Sequence, residues 1–358
     1  MGKKTINKTT MSKLYFNRIG MAVMVFLCCL LSASAVFADI PAGYYNGIEN
    51  KKDESLRETL SDIIDNHSSI AYGNGMHSYY AYTDCDKNGK IIDIYSKCVF
   101  TISDAGSSQS KVCDCWNKEH TVPSSWFKKA KPAYSDFFHI YPTDARINNF
   151  RGNMPYGETN NTDYVTKDAN KEKGLGHIGT SSFSGYSGKV YEPVDEYKGD
   201  LARNYLYMIT RYMTLNFTQA DEGEAVFTYS GGKAYFTSYA INLFMKWHRE
   251  DPVSQKEIDR NNAVYQSVQH NRNPFIDYPY LAEYLWGKEK GKGVDMTHLI
   301  SSSDSRFVPG VSNGYSDATD DVQTYEDAAQ KAKKVLYKGQ IVVIVNGQKY
   351  SLMGERID

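Results

Sequence analysis

From Leu201 onward the apolar residues keep helical time: Leu201, Tyr205, Met208, Ile209 and Tyr212 form one stripe. SYAINLFMKWHRE, SQKEIDRNNAVYQSVQ and YLAEYLWG continue the same period as far as Gly287. Asp200 is a candidate N-cap, Ser254 with Glu257 makes a capping box, and Asp251-Pro252 closes a helix. Upstream the pattern changes. After one amphipathic helix over 52–66, with Leu56, Leu60, Ile63 and Ile64 on a face, the runs HSYYAYTD, GKIIDIYS, CVFTI and SDFFHIYP are short, aromatic and β-branched. They read as antiparallel strands, with Asn88-Gly89 as a hairpin turn and Pro142 as a stop. Strands gathered in one part of a chain and helices in another make the fold class α+β. Residues 152–198, rich in Gly, Ser, Thr and Asn, read as a long loop of the kind that carries function.

The ends are set apart. Lys3, Lys4, Lys8, Lys13 and Arg18 precede the apolar run MAVMVFLCCLL, and small residues Ser34, Ala35 and Ala38 follow it, which reads as a signal peptide over 1–38. The main domain is then expected over 39–290, a polar linker over 291–329, and a tail over 330–358 in which QIVVIVNGQKYSLMG turns about Asn346-Gly347 as a hairpin. No other stretch is long and apolar enough to span a bilayer, so the mature form is expected to be membrane-free, secreted or periplasmic. Of 41 Lys and Arg, five lie in the leader, which leaves 36 against 42 Asp and Glu. A polyanionic partner would therefore need a local positive groove.

Four cysteines remain after the leader, Cys85, Cys98, Cys113 and Cys115, and an oxidising destination makes them disulfide candidates. Cys113 and Cys115 are too close to pair with each other, so each is expected to reach back to Cys85 or Cys98. A four-cysteine zinc site is the competing reading.

NKEHTVPSSWF, read as a loop, and, two dozen residues on, DARINNFRGN, read as a short helix or helical turn, hold the chemistry. Glu119 and Asn148 offer the sparse oxygen set that a hydrated Mg²⁺ accepts, with Mn²⁺ or Ca²⁺ as substitutes. His120 is a base near neutral pH, and the Arg151 fork suits a phosphate oxygen. Together they are equipment for hydrolysing a phosphodiester. His139 and Asp136 are nearby candidates for orienting roles. The alternative is a non-catalytic exported protein that binds through its 29 tyrosines.

Five ordered blocks, NKEHTVPSSWF, PTDARINNFRGN, VYEPVDEYKGDLARNYLYMITRY, KWHREDPVSQKEIDRNNAVYQ and NRNPFIDYPYLAEYLWG, resemble the endonuclease I family of secreted bacterial nucleases over roughly residues 75–287. The resemblance implies a ββα-metal finger, a hairpin and helix gripping one cation, set among several helices and a small antiparallel sheet. It implies His120 as general base, Glu119 and Asn148 as metal ligands and Arg151 as phosphate support. The implied activity is cleavage of DNA and RNA with little sequence preference, leaving 5′-phosphate ends; no protein partner is implied. Such binding rests on phosphate contacts, for which Lys128, Lys129, Arg146, Arg203 and Arg272 are the candidates.

Overall fold

The computed structural model describes residues 40–316 and, beyond them, the backbone of four strands between 332 and 357. The signal peptide read over 1–38 lies outside the described residues. Helix α1 (Asp53–Asp65) buries Leu56, Leu60 and Ile64, one residue per turn on one side, against α4 (Lys198–Arg211). Helix α4 is the spine of the domain: its residues from Gly199 to Thr210 are all buried. It begins three residues earlier than expected, so Asp200 is not its cap; Asp200 lies in the first turn, paired with Lys256 at 2.8 Å. Helix α6 (Ser238–Glu250) packs on α4, and α7 (Gln255–Ser267) follows with the Ser254/Glu257 capping box in place. Helices α8 (Pro274–Asp277) and α9 (Leu281–Trp286) complete this layer.

The front half holds less sheet than its composition suggests. HSYYAYT forms helix α2 (His77–Thr83), not a strand, because Tyr80 and Thr83, three residues apart, turn inward together, Tyr80 against Trp116 and Phe137. GKIIDIYS and CVFTI form no strand ladder; a single bridge joins Cys85 to Ile91 around the expected turn at Asn88-Gly89. Their backbone is pinned by Asp93, whose carboxylate accepts from the Tyr95 amide and the Ser96 hydroxyl. SDFFHIYP also shifts: Asp136 caps a single 3₁₀ turn at the Phe138 amide, and the strand starts only at Ile140.

Strands β1 (Trp116–His120) and β2 (Ile140–Asp144) pair antiparallel, with Glu119 opposite Tyr141 and His120 opposite Ile140. Helix α3 (Ala145–Arg151) follows β2 without a break, because Asp144 ends the strand and its Oδ1 accepts the Arg146 and Ile147 amides. The long loop contains an unforeseen hairpin, β3 (His177–Thr180) with β4 (Lys189–Glu192). A one-turn helix α5 (Asp221–Glu224) leads to a second, β5 (Phe227–Ser230) with β6 (Lys233–Phe236). Its turn is Gly231-Gly232, both at positive φ (58° and 79°), as a tight primed turn requires.

The stretch read as a linker from 291 is packed as far as Ser316. Val294, Leu299, Ile300 and Phe307 are buried, Asn50 and Lys51 exchange backbone bonds with Val294, and Gly310 N donates to Val253 O. Apolar residues without a period gave no sign of this. In the tail, β7 (Ala332–Tyr337), β8 (Gln340–Val345), β9 (Gln348–Tyr350) and β10 (Arg356–Ile357) form an antiparallel sheet in the order β10-β9-β8-β7, and the expected hairpin is its β8-β9 step. Among the described residues no helix is long and apolar enough to cross a membrane.

Candidate active site

Alternation along β1 sends Asn117 and Glu119 to one side and Lys118 and His120 to the other. On the first side lies α3, where Asn148 and Arg151, three residues apart, share a face. Asn148 Nδ2 donates to Asn117 Oδ1 at 2.7 Å and faces the Lys118 carbonyl at 3.4 Å. A carbonyl only accepts, so the amide nitrogen is the atom turned toward β1, and neither contact uses Asn148 Oδ1.

Glu119 is 3% exposed, and its Oε1 accepts from both Tyr95 OH (2.8 Å) and Arg151 Nη1 (2.9 Å). Burial pushes its carboxyl above the ordinary value, against the pull of the Arg151 charge and the Tyr95 hydroxyl. Neither bond uses Oε2. The His120 amide also bonds this carboxylate; Glu119 and Asn148 together offer carboxylate and amide oxygens, hard donors of the kind that fit a cation keeping most of its water.

Arg151 does not fit the phosphate role expected of it. It is fully buried: Nη1 also donates to His120 O (2.9 Å), Nη2 donates to Thr121 O (2.7 Å), and the guanidinium lies 4.5 Å from the Tyr156 ring centre. Its fork fixes the Glu119 carboxylate and the backbone that leaves β1.

On the other side His120 sits among rings, with Tyr72 at 5.2 Å, Tyr134 at 5.1 Å and nearly parallel, and His139 at 5.3 Å. Its Nε2 is 3.0 Å from Tyr134 O. That carbonyl can only accept, so Nε2 carries the hydrogen and Nδ1 keeps its lone pair. Burial first, and His139 next, push the imidazole down to about 3, well below the near-neutral value expected of it, so it is neutral at pH 7 and a weaker base than a free imidazole. His139, itself fully buried, donates from Nε2 to Ala133 O at 2.8 Å and is a packing neighbour of His120. Asp136 is structural as well, accepting Tyr207 and Tyr212 hydroxyls at 2.8 Å each.

Two more of the arginines expected on phosphate are engaged elsewhere. Arg203, fully buried, is clamped by Glu257 at 2.5 and 2.8 Å, and Arg272, 1% exposed, by Asp277 at 2.6 and 2.8 Å. A phosphate would have to break a buried ion pair to reach either. Arg146, at the head of α3, gives Nε and Nη2 to Asp168 and Nη1 to Gln109 O. Lys128 and Lys129 are exposed, in consecutive left-handed conformations (φ 50° and 55°) in the turn that follows β1. Lys129 Nζ lies 5.8 Å from the Tyr134 ring centre, on the His120 side.

Sequence reasoning passed over Lys118, Tyr72, Tyr95 and Tyr156. Lys118 Nζ is 3.0 Å from His77 Nε2 and 5.3 Å from the Tyr72 ring centre. The segment read as a loop is strand β1, on which two residues before His120 means the same side. The three tyrosines lie far off in the chain and carried no local signal. Of the cysteines, Cys98 and Cys113 are bridged, but the second bridge expected of Cys115 is not formed: Cys85 and Cys115 remain thiols. The bridge removes a four-cysteine zinc site, and though its sulfurs lie near Asp144, disulfide sulfur is not a thiolate ligand.

The sequence model of the endonuclease I family matches residues 53–280, which span α1 to α8 with both sides of β1. The chain belongs to the endonuclease I family. As a member it is a nuclease. An extracellular ribonuclease of Bacillus subtilis (strain 168) is 31% identical over 274 residues, covering 73% of this chain and 83% of the relative. A second extracellular ribonuclease, from Bacillus amyloliquefaciens, is 30% identical over 247 residues, 68% of this chain and 78% of that one. A protein named endonuclease-1 from Buchnera aphidicola subsp. Acyrthosiphon pisum (strain APS) is 24% identical over 163 residues, covering 45% and 52%. Residues 291–316 and the β7-β10 sheet lie beyond the endonuclease I match.

Proposed function

We propose that this endonuclease I member is a secreted, divalent-cation-dependent endonuclease that hydrolyses phosphodiester bonds of RNA and DNA to 5′-phosphate products, with His120 as general base. The observation that carries this reading is the His120 tautomer: Nε2–H is held on the Tyr134 carbonyl, so Nδ1 is the open acceptor on a neutral ring. The β1-β2-α3 unit is read as the ββα-metal finger. Glu119 Oε2 and Asn148 Oδ1 would hold the cation, Mg²⁺ first, which when bound supplies charge stabilisation at the scissile phosphate and the leaving oxygen.

His120 takes the proton of the attacking water at Nδ1, and the Tyr134 carbonyl steadies the imidazolium that results. Arg151 holds Glu119 in place through the reaction. Lys118, on the His120 side of β1, offers the ammonium that buried Arg151 does not, and Lys128 and Lys129 offer two more to the strand's phosphates. Secretion is supported by the leader and by relatives named extracellular; both nucleic acids are proposed because relatives carry the names ribonuclease and endonuclease.

The test is cleavage of plasmid and of RNA with Mg²⁺ and with EDTA, by wild type and His120→Ala. Metal-dependent cleavage is expected, lowered by about 10²–10⁴ in the variant, with affinity for the nucleic acid measured in EDTA unchanged. A variant that cuts at the wild-type rate would remove His120 from the mechanism.

A further inference from the structure

Next to the catalytic helix a cleft of about 580 Å³ opens between the C-terminal end of α3, the segment after Asn161 and the β3-β4 hairpin. Nothing in the chemistry above uses it. Phe150, Tyr164, Lys167, Lys171 and Lys189 are among the residues that line it. Tyr164 is 52% exposed, an aromatic ring left open to solvent, with Lys171 Nζ 5.5 Å from its centre. Three lysines face a single lining carboxylate, Asp163, and among the described residues none of the three is in an ion pair, unlike Arg146 close by. In a chain whose acidic residues outnumber its basic ones, a cleft of this charge is a local exception.

The walls are fixed in place. Asp168 ties the segment to α3 through Arg146, Asn170 Nδ2 donates to Val112 O at 3.3 Å, and Asn161 Nδ2 donates to Ile178 O at 2.6 Å. Phe150 lies under the Arg146 guanidinium, whose carbon is 4.5 Å from the ring centre, and it sits two residues past Asn148. A strand lying in the cleft is thereby led toward the seam that carries Glu119 and Asn148.

From these observations we infer that the cleft is a subsite for single-stranded nucleic acid: an unpaired base stacks on Tyr164, and the flanking phosphates meet Lys167, Lys171 and Lys189. An aromatic ring with ammonium groups around it recognises a base whose face is free, and in a duplex the base faces are already covered by their neighbours. The inference rests on the nuclease reading and adds the form of substrate that the site engages beyond the scissile bond.

The experiment is fluorescence anisotropy in EDTA, with a labelled single-stranded oligonucleotide and the duplex of the same sequence. Tyr164→Ala is expected to weaken single-strand binding roughly five- to a hundred-fold, and Tyr164→Phe, which keeps the ring, by less than about twofold. Replacing Lys167, Lys171 and Lys189 together by Ala should flatten the plot of log affinity against log salt by about two. Single-strand binding unchanged in Tyr164→Ala, or weakened equally for single strand and duplex, overturns the subsite. Because no cation is present, failure here is separate from failure of the nuclease reading, which shows instead as absent cleavage in Mg²⁺.

Discussion

Arg151 illustrates how one side chain can be right in place and wrong in role. Its position in DARINNFRGN suggests that it meets a phosphate, yet the guanidinium spends its donors on Glu119, His120 O and Thr121 O and is fully buried. The two roles give different outcomes on removal. If the side chain gripped substrate phosphate, Arg151→Met would lower activity and leave stability alone. A buried positioning cation leaves Glu119 as an uncompensated buried charge, so the variant should lose about 3–5 kcal/mol of stability as well. Urea unfolding measures it, and Glu119→Gln combined with Arg151→Met should cost less than the two single changes added together. Arg151→Lys is not expected to rescue, because one ammonium cannot serve a carboxylate and two carbonyls through a planar fork. A stable, inactive Arg151→Met would return the residue to the phosphate.

At the scale of elements, α3 is seven residues long, too short to stand by itself, and what holds its start is a chain of contacts. Asp144 Oδ1 caps it, Asp144 Oδ2 accepts the Cys113 amide at 2.7 Å, Asp93 accepts the Asp144 amide at 2.9 Å, and Cys98 is bridged to Cys113. The disulfide closes a stretch with a sequence separation of 15. Cys98→Ser with Cys113→Ser, or added reductant, should cost about 3 kcal/mol by thermal or urea unfolding. The same change should slow cleavage, because the cap it supports aims Asn148. Asp144→Ala should cost about 0.5–2 kcal/mol through the cap and slow cleavage likewise. Unchanged cleavage in both would show that α3 holds its own position. These elements also show what is legible in the sequence. Capping chemistry reads correctly at Ser254 and Glu257 because its whole signal lies within four residues. HSYYAYT misleads because its aromatic content outweighs a two-residue helical face that only Trp116 and Phe137 explain. The β5-β6 hairpin escapes notice although Gly231-Gly232 marks its turn. At the candidate site, the adjacent Glu119 and His120 and, 28 positions past His120, Asn148 are legible as residue types; the Tyr95, Tyr72 and Tyr134 partners are not, since nothing local ties them to β1.

Across the whole molecule, formal charge says little about where charges lie, and the spine of this domain shows why. Arg203 on α4, Glu257 on α7 and Asp200 form a buried cluster edged by the half-buried Lys256 and Asp251, so an arginine expected on nucleic acid holds helices together. His248 of α6 sits at its edge. Its Nδ1 is 3.4 Å from Arg203 Nη1, its Nε2 is 3.0 Å from Pro279 O, and Glu283 and Arg249 lie beyond. Burial, then the Arg203 charge, pushes this imidazole down to about 3. The unfolded chain takes up that proton below about pH 6.5, while the folded chain refuses it until about pH 3. The stability His248 contributes is therefore complete above pH 6.5 and is lost as pH falls from there, by about 1.4 kcal/mol per pH unit for one proton. Asp251 and Glu257, raised to about 6 and about 7 by burial, tilt the same curve the other way, so the wild-type curve alone does not isolate the histidine. The difference from His248→Gln does. Gln can still donate to Pro279 O but never titrates, so the variant should be less stable than wild type at pH 7, with the gap closing by about 2 kcal/mol at pH 5. Urea unfolding at the two pH values checks it, and curves that stay parallel would mean that folding leaves the His248 imidazole unshifted.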